Sequence, residues 1–202
     1  MFLLSSAISA FVQLGLVLVF PFAWWALSAR RSVGFASWIG LRRPTWSAGG
    51  ARVGAAVLAW VVIGAASTAL LQSLSGQVPA PRFAGRGIAG IIPVLLFALV
   101  QTSLAEEIFF RGFLGKRVIA RWGFALGNAA QAGAFGIMHV ALFASFADPI
   151  RLVLIGILTG ASGWVCGWIN ERGAGGSILP GWALHASANL LVGFAAAFNL
   201  MG

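Results

Sequence analysis

Acidic side chains are almost missing from this sequence. Four of its 202 residues are Asp or Glu, and charged residues of both signs make up 8 % of the chain. Soluble domains carry about 25 % charged residues, so the composition excludes an ordinary soluble domain. Cysteine occurs once, at Cys166. A disulfide framework and a metal site built on cysteines are therefore excluded as well.

Long apolar runs take the place of charge. Hydrophobic residues make up 60 % of the chain, and six stretches of at least 19 residues contain no Asp, Glu, Lys or Arg: 1–29, 53–81, 87–105, 122–147, 152–170 and 173–202. A membrane-spanning helix needs about 20 such residues. The runs predict one all-α domain over residues 1–202, a polytopic membrane helix bundle of about six transmembrane helices. Because no basic residues precede the first run, we expect a retained helix there and not a cleaved signal.

Turn residues refine the helix boundaries within these runs. Asp148-Pro149 reads as a turn between two runs, and Pro180 suits the first turn of the last helix. We expect helices at roughly 7–29, 53–74, 88–121, 123–146, 150–169 and 180–198. Residues 111–121 of the third helix would extend beyond the membrane into the cytoplasm.

Basic residues predict how the chain is oriented. Thirteen Lys and Arg residues give a net charge of +9, and they lie between the apolar runs, where they act as topology signals. No nucleic-acid partner is expected from them. If the loop 30–52 faces the cytoplasm, ten basic residues lie inside and three outside. This bias predicts an integral protein of the cell (inner or plasma) membrane with its site opening toward the cytoplasm.

Two of the four acidic residues, Glu106 and Glu107, stand side by side at the end of an apolar run. A carboxylate inside a membrane is costly and marks a functional site by default. Glu107 and Arg111 are four residues apart, so they lie about 40° apart around a helix and can form an ion pair. Glu106 is about 140° from Arg111 by the same geometry. This leaves Glu106 free for chemistry.

The two histidines of the chain, His139 and His185, also lie in apolar runs. Phe135 lies four residues before His139, and Asn189 lies four residues after His185, so each pair shares one helix face. A carboxylate with a histidine can activate water as a general base. A histidine with an amide can donate hydrogen bonds to a developing oxyanion. Together these side chains meet the needs of peptide-bond hydrolysis.

The depth of His185 is a difficulty for such a site. It lies five residues after Pro180, or roughly 8 Å along a helix, whereas Glu106 and His139 lie roughly 22–24 Å from their helix ends. Two arrangements would bring the three side chains level. Either the glycine-rich segment 173–179 dips inward, or the extension of the third helix protrudes from the membrane.

Three motifs on successive apolar runs resemble those of the CAAX-protease and bacteriocin-processing (CPBP) family, whose eukaryotic members are the type II CAAX prenyl endopeptidases. They are Glu106-Glu107-x-x-x-Arg111, Phe135-x-x-x-His139 and His185-x-x-x-Asn189, within a motif core of about 88–199. The resemblance implies an all-helical intramembrane endopeptidase acting on a peptide or membrane-protein substrate in the lipid bilayer.

Roles for the residues follow from the same resemblance. It implies that Glu106 is the catalytic base and that His139 helps to activate water. It implies an oxyanion site formed by His185 and Asn189. The remaining motif residues would support the site structurally: Glu107, Arg111 and Phe135. No cofactor is expected.

Three other interpretations stay open. Glu106, His139 and His185 could supply a zinc site with an open fourth position, although no His-Glu-x-x-His motif signals one. A serine protease could use Ser162, within Gly160-Ala161-Ser162-Gly163, together with His185. The same polar residues could also belong to a non-catalytic protein, lining a transport path or a partner-binding groove.

Overall fold

The chain folds as a helical bundle in a computed structural model that describes residues 1–74, 76–78 and 80–200. Small parts of the apolar stretches 53–81 and 173–202 fall outside these residues. The described residues form helices and no β-strand. The α-helices in chain order are α1 Phe2–Ser28, α2 Phe35–Trp38, α3 Gly50–Gln72, α4 Ile91–Leu95, α5 Lys116–Phe143, α6 Pro149–Trp168 and α7 Leu179–Ala197.

Wider and tighter helical turns join some of these elements. A 3-10 turn, Gly87–Gly90, precedes α4. A first π segment, Leu96–Leu104, and a second π segment, Glu107–Gly115, connect α4 to α5. A shorter π turn, Ile169–Gly173, follows α6. The predicted third helix therefore exists from 87 onward, but most of it is wound with i→i+5 hydrogen bonds and not as the regular α-helix that was expected.

Gly123 breaks α5 into two arms. Its φ of 75° and ψ of 170° lie in a region that is essentially restricted to glycine. The arm before it continues the third helix, and the arm after it, 124–143, runs back through the bundle. The predicted end of the third helix near Arg121 and the start of the fourth at 123 are confirmed. Six long helices result within the described residues: α1, α3, the composite helix 87–122, the second arm of α5, α6 and α7.

Four segments are long and apolar enough to cross a membrane, namely Phe2–Ser28, Gly50–Gln72, Gly87–Phe143 and Pro149–Gly173. The third of these is 57 residues long and contains the break at Gly123. It therefore comprises two of the six predicted helices. The all-α polytopic bundle predicted from composition is confirmed.

Packing places the candidate residues at the centre of this bundle. The first π segment packs against both α1 and α7, whereas the second arm of α5 packs against α6, which also contacts α3. The interior side chains come from helices far apart in the chain. The second π segment, the second arm of α5 and α7 converge at the site described below.

Candidate active site

The second π segment carries a buried ion pair. Arg111 Nη1 lies 3.2 Å from Glu107 Oε1, and the two side chains are 3 % and 0 % exposed. This is the pairing that the four-residue spacing predicts. Asn170 Nδ2 donates a hydrogen bond to Glu107 Oε2 at 3.3 Å, and the Arg111 guanidinium lies 4.1 Å from the centre of the Phe135 ring. Neutralisation by Arg111 allows a carboxylate to be fully buried here.

His185 lies between the two glutamates. Its Nε2 is 3.7 Å from Glu106 Oε2, and its Nδ1 is 3.6 Å from Glu107 Oε1. Both separations are slightly longer than a hydrogen bond, so each is a close electrostatic contact. Glu106 Oε2 is buried and accepts no hydrogen bond from the described residues. Glu107 Oε1 likewise accepts no hydrogen bond, but it is paired with Arg111 at 3.2 Å, whereas Glu106 has no Lys or Arg within ion-pair distance among the described residues.

His139 is oriented by the backbone of its own helix. Its Nδ1 lies 2.9 Å from the carbonyl oxygen of Phe135. Because a carbonyl oxygen only accepts hydrogen bonds, Nδ1 carries the proton, and the other nitrogen, Nε2, is left with a lone pair in the neutral ring. Glu106, His185 and Arg111 lie near enough to act electrostatically on the ring, so His139 belongs to the same cluster.

Phe135 is the aromatic surface on which the two imidazoles meet. Its ring centre lies 4.5 Å from that of His139 and 5.9 Å from that of His185, with the latter pair nearly perpendicular. Phe110 contacts the same ring edge-on at 5.1 Å. The Phe135 ring therefore packs beside both imidazoles and the Arg111 guanidinium.

Asn189 occupies a position that the sequence did not reveal. Its Nδ2 donates to Thr102 Oγ1 at 2.9 Å and to Ser103 Oγ at 3.0 Å, at the end of the first π segment. Thr102 donates in turn to the carbonyl oxygen of Phe97. Both amide hydrogens are therefore engaged in this conformation. Donation from Asn189 to an oxyanion requires one of these two bonds to open.

The turn before α7 determines how His185 meets the glutamates. The Gly176 carbonyl accepts a hydrogen bond from Lys116 Nζ at 2.7 Å, so this turn lies beside Lys116 and residues 117–122 extend beyond it. The same turn is buried beneath the segment 40–47, whose backbone bonds to Ala174 and Ile178. In this arrangement His185 comes within 3.7 Å of Glu106, and which of the two explanations for its depth in the membrane applies stays a prediction.

Sequence reasoning missed Asn170 as part of the site. This side chain is fully buried and lies 63 residues from Glu107, whose carboxylate it contacts. Thr102 and Ser103, the acceptors for Asn189, were missed too. The one available signal was that Asn170 ends an apolar run as a polar residue just before Glu171 and Arg172.

The zinc interpretation does not fit the side chains as they stand. Across the described residues, no three His, Cys, Asp or Glu side chains converge closely enough to hold a metal ion. Glu106 and His185 are close, but both imidazoles are also held elsewhere, His139 by Phe135 and His185 against Glu107.

The serine interpretation finds no geometric support either. Within the described chain, the close polar contacts of His185 are with Glu106 and Glu107, and no hydrogen bond joins it to Ser162. The neighbouring Gly163 instead gives Arg111 and Phe135 room to approach α6. Gly163 therefore lies on a packing surface, as is usual for small residues between membrane helices.

An apolar groove with a volume of about 390 Å³ lies between α3 and α7. Its lining comes from the segment before α3, from α3, from the π turn after α6 and from the first turns of α7: Pro44, Trp46, Val53, Val57, Ile169, Leu179, Pro180, Ala183 and Leu184. Leu184 is the neighbour of His185 in the chain, whereas His185 and the two glutamates do not line the groove.

Comparison with known proteins identifies the family. No curated protein and no solved structure matches the chain. The family described as type II CAAX prenyl endopeptidase Rce1-like matches residues 88–191, just over half of the chain. That range contains all three motifs and every side chain of the cluster described above. The chain is an integral membrane protein that belongs to the type II CAAX prenyl endopeptidase Rce1-like family.

Proposed function

We propose that this protein is an intramembrane endopeptidase that hydrolyses a peptide bond with water activated by Glu106 and His139. The observation that carries the proposal is the position of His185 within 3.7 Å of both Glu106 and Glu107. In this arrangement Glu106 Oε2 is buried beside an imidazole and accepts no hydrogen bond from the described residues. Membership of a protease family supports the same reaction class.

The reaction needs a base on one side of the scissile carbonyl and a hydrogen-bond donor on the other. Glu106 takes a proton from water as the water oxygen bonds to the carbonyl carbon, and Nε2 of His139 supports that transfer. An N–H of His185 donates to the oxyanion that forms. The proton on Glu106 then passes to the amide nitrogen as the carbon–nitrogen bond breaks, which leaves a new carboxyl group and a new amine.

Glu107, Arg111 and Phe135 would hold the reacting groups in place. The Arg111 guanidinium pairs with Glu107 at 3.2 Å, and Glu107 faces the Nδ1 side of His185 at 3.6 Å. Asn189 would complete the oxyanion site after releasing Thr102 or Ser103. Opening one of these bonds is a reorganisation that a preorganised oxyanion donor would not need.

The substrate would be a peptide or a membrane protein that reaches the site from the bilayer through the groove between α3 and α7. The lining is apolar, so it suits an aliphatic or lipid-bearing segment better than a charged one. The bias of basic residues toward one side supports a cell-membrane location in which the site opens toward the cytoplasm.

The test uses purified protein in lipid vesicles and a randomised peptide library, prepared with a prenyl anchor, with an acyl anchor and without an anchor. Mass spectrometry of new peptide ends reports cleavage. Glu106→Gln should lower cleavage by at least about 10²–10⁴-fold, the usual contribution of a general base. Asp148→Asn is the matched control because it neutralises an exposed carboxylate outside the site.

Two outcomes would count against the proposal. Full cleavage by Glu106→Gln would remove Glu106 from the chemistry. Absence of cleavage by the wild type would favour a non-catalytic scaffold, especially if cells that rely on the protein tolerate Glu106→Gln. A proteomic comparison of membrane peptides from cells with wild-type or Glu106→Gln protein extends the test to natural substrates.

A further inference from the structure

Asn170 connects the helix that carries the glutamates to the helix that carries His185. Its Nδ2 donates to Glu107 Oε2 at 3.3 Å, and its Oδ1 accepts from the backbone N–H of Gly181 at 2.9 Å. The side chain is fully buried. Gly181 lies in the first turn of α7, four residues before His185. One amide thus joins Glu107 to the start of α7.

The space around this contact is specific to the residues present. A Cβ on Gly181 would lie 2.6 Å from Asn170 Nδ2, 2.8 Å from its Oδ1 and 2.9 Å from Glu107 Oε2. Real Cβ atoms essentially never approach so closely. Glycine at this position therefore lets α7 approach Glu107 closely enough for the amide to span both groups.

Asn170 affects His185 through Glu107, which lies between the two side chains. One carboxylate oxygen of Glu107 is held by Asn170, and the other lies beside Arg111 and 3.6 Å from His185 Nδ1. The hydrogen bond from Asn170 and the ion pair with Arg111 act on different oxygens, so together they favour one orientation of the carboxylate. The same amide also fixes the position of the first turn of α7 relative to Glu107.

We propose that Asn170 is a positioning residue that sets the orientation and proton placement of His185 by holding Glu107 and the first turn of α7 together. The proposal rests on the proposed function in one respect, the use of His185 in the reaction. The positioning itself can be measured without any substrate.

Asn128 offers a matched control. It is also fully buried, and it also makes two hydrogen bonds, donating to the Trp164 carbonyl at 3.0 Å and accepting from Gln131 Nε2 at 2.8 Å. Neither partner belongs to the site. Asn128→Leu and Asn170→Leu therefore each remove two buried hydrogen bonds, and both should lower the thermal midpoint.

The decisive measurement is ¹⁵N NMR of histidine-labelled protein in lipid vesicles. The chain has two histidines, so the spectrum is simple, and a His139→Gln sample assigns the signals. Asn170→Leu should shift or broaden the ring-nitrogen signals of His185 and leave those of His139 in place. Asn128→Leu should leave the signals of both histidines unchanged.

Activity on the best peptide of the library gives a second measurement. Asn170→Leu should lower kcat by about 10–100-fold, the scale for losing a group that orients a functional side chain, with little change in KM. Asn128→Leu should keep kcat. A fall in kcat with unchanged KM is expected because Asn170 touches Glu107 and not the groove.

A double variant tests whether the close approach of Gly181 to Asn170 requires glycine. Gly181→Ala should destabilise the protein because its methyl group collides with Asn170. Adding Asn170→Ala removes two of the three close contacts and should recover part of the thermal midpoint, but not kcat.

Unchanged His185 signals in Asn170→Leu would overturn the proposal, and so would equal changes in Asn128→Leu. If the His185 signals respond as expected while the wild type cleaves no peptide, positioning by Asn170 stands and the proposed peptidase function fails.

Discussion

The buried ion pair offers the sharpest stability test. Glu107–Arg111 and Asp148–Arg151 have nearly equal separations, 3.2 Å and 3.1 Å, but very different exposure. The first pair is 3 % and 0 % exposed for Arg and Glu, and the second is 36 % and 46 % exposed for Arg and Asp. Removing the arginine from each pair therefore isolates the effect of burial at constant geometry.

Arg111→Ala should cost about 3–5 kcal/mol of unfolding free energy, because it leaves Glu107 buried without a countercharge. The lost contact of the guanidinium with the Phe135 ring adds to this cost by up to about 2 kcal/mol when the site is dry. Arg151→Ala should cost about 0–1 kcal/mol, the range for exposed pairs. The assay is reversible unfolding of each purified variant in mixed detergent micelles.

A further variant separates charge from packing. Glu107→Gln with Arg111→Met removes both charges and keeps similar volume, so it should regain much of the stability lost in Arg111→Ala. The reasoning would be refuted if Arg111→Ala and Arg151→Ala lost the same stability. It would also be refuted if the double variant were no more stable than Arg111→Ala.

Four other outcomes are expected. Reporter fusions in the loop 30–52 should report a cytoplasmic location, and an external location would reverse the topology. Strong chelator should leave cleavage unchanged, whereas loss that zinc restores would favour a metalloprotease. Asn189→Ala should lower kcat by about 10²–10³-fold, the scale for one oxyanion donor, and a loss below tenfold would make it a packing residue. The backbone N–H of Arg151 lowers the pKa of the Asp148 carboxyl. The contribution of the Asp148 carboxylate to stability is therefore fully present above its ordinary pKa of 3.8 and is lost as the pH falls through its lower pKa in the folded protein. The thermal midpoints of wild type and Asp148→Asn should therefore converge in acid.

The sequence alone determined the features that depend on neighbours in the chain. Runs without charge predicted the helices, because a span needs a minimum apolar length. The Glu107–Arg111 contact and the stacking of Phe135 on His139 followed from four-residue spacing. Gly123 marked the end of one helix and the start of the next. Each of these depends on local geometry, which a few consecutive residues specify.

Only the tertiary structure decided the features that join distant segments. The approach of His185 to the glutamates depends on a turn buried under the segment 40–47, and the hydrogen bonds of Asn189 depend on hydroxyls 86 and 87 residues away. The π winding around Glu106 was not visible in the spacing either. Asn170 looked like the polar end of a helix, yet it contacts Glu107 across 63 residues. Such contacts are selected by close packing and by the cost of burying unpaired polar groups, and both depend on the whole bundle.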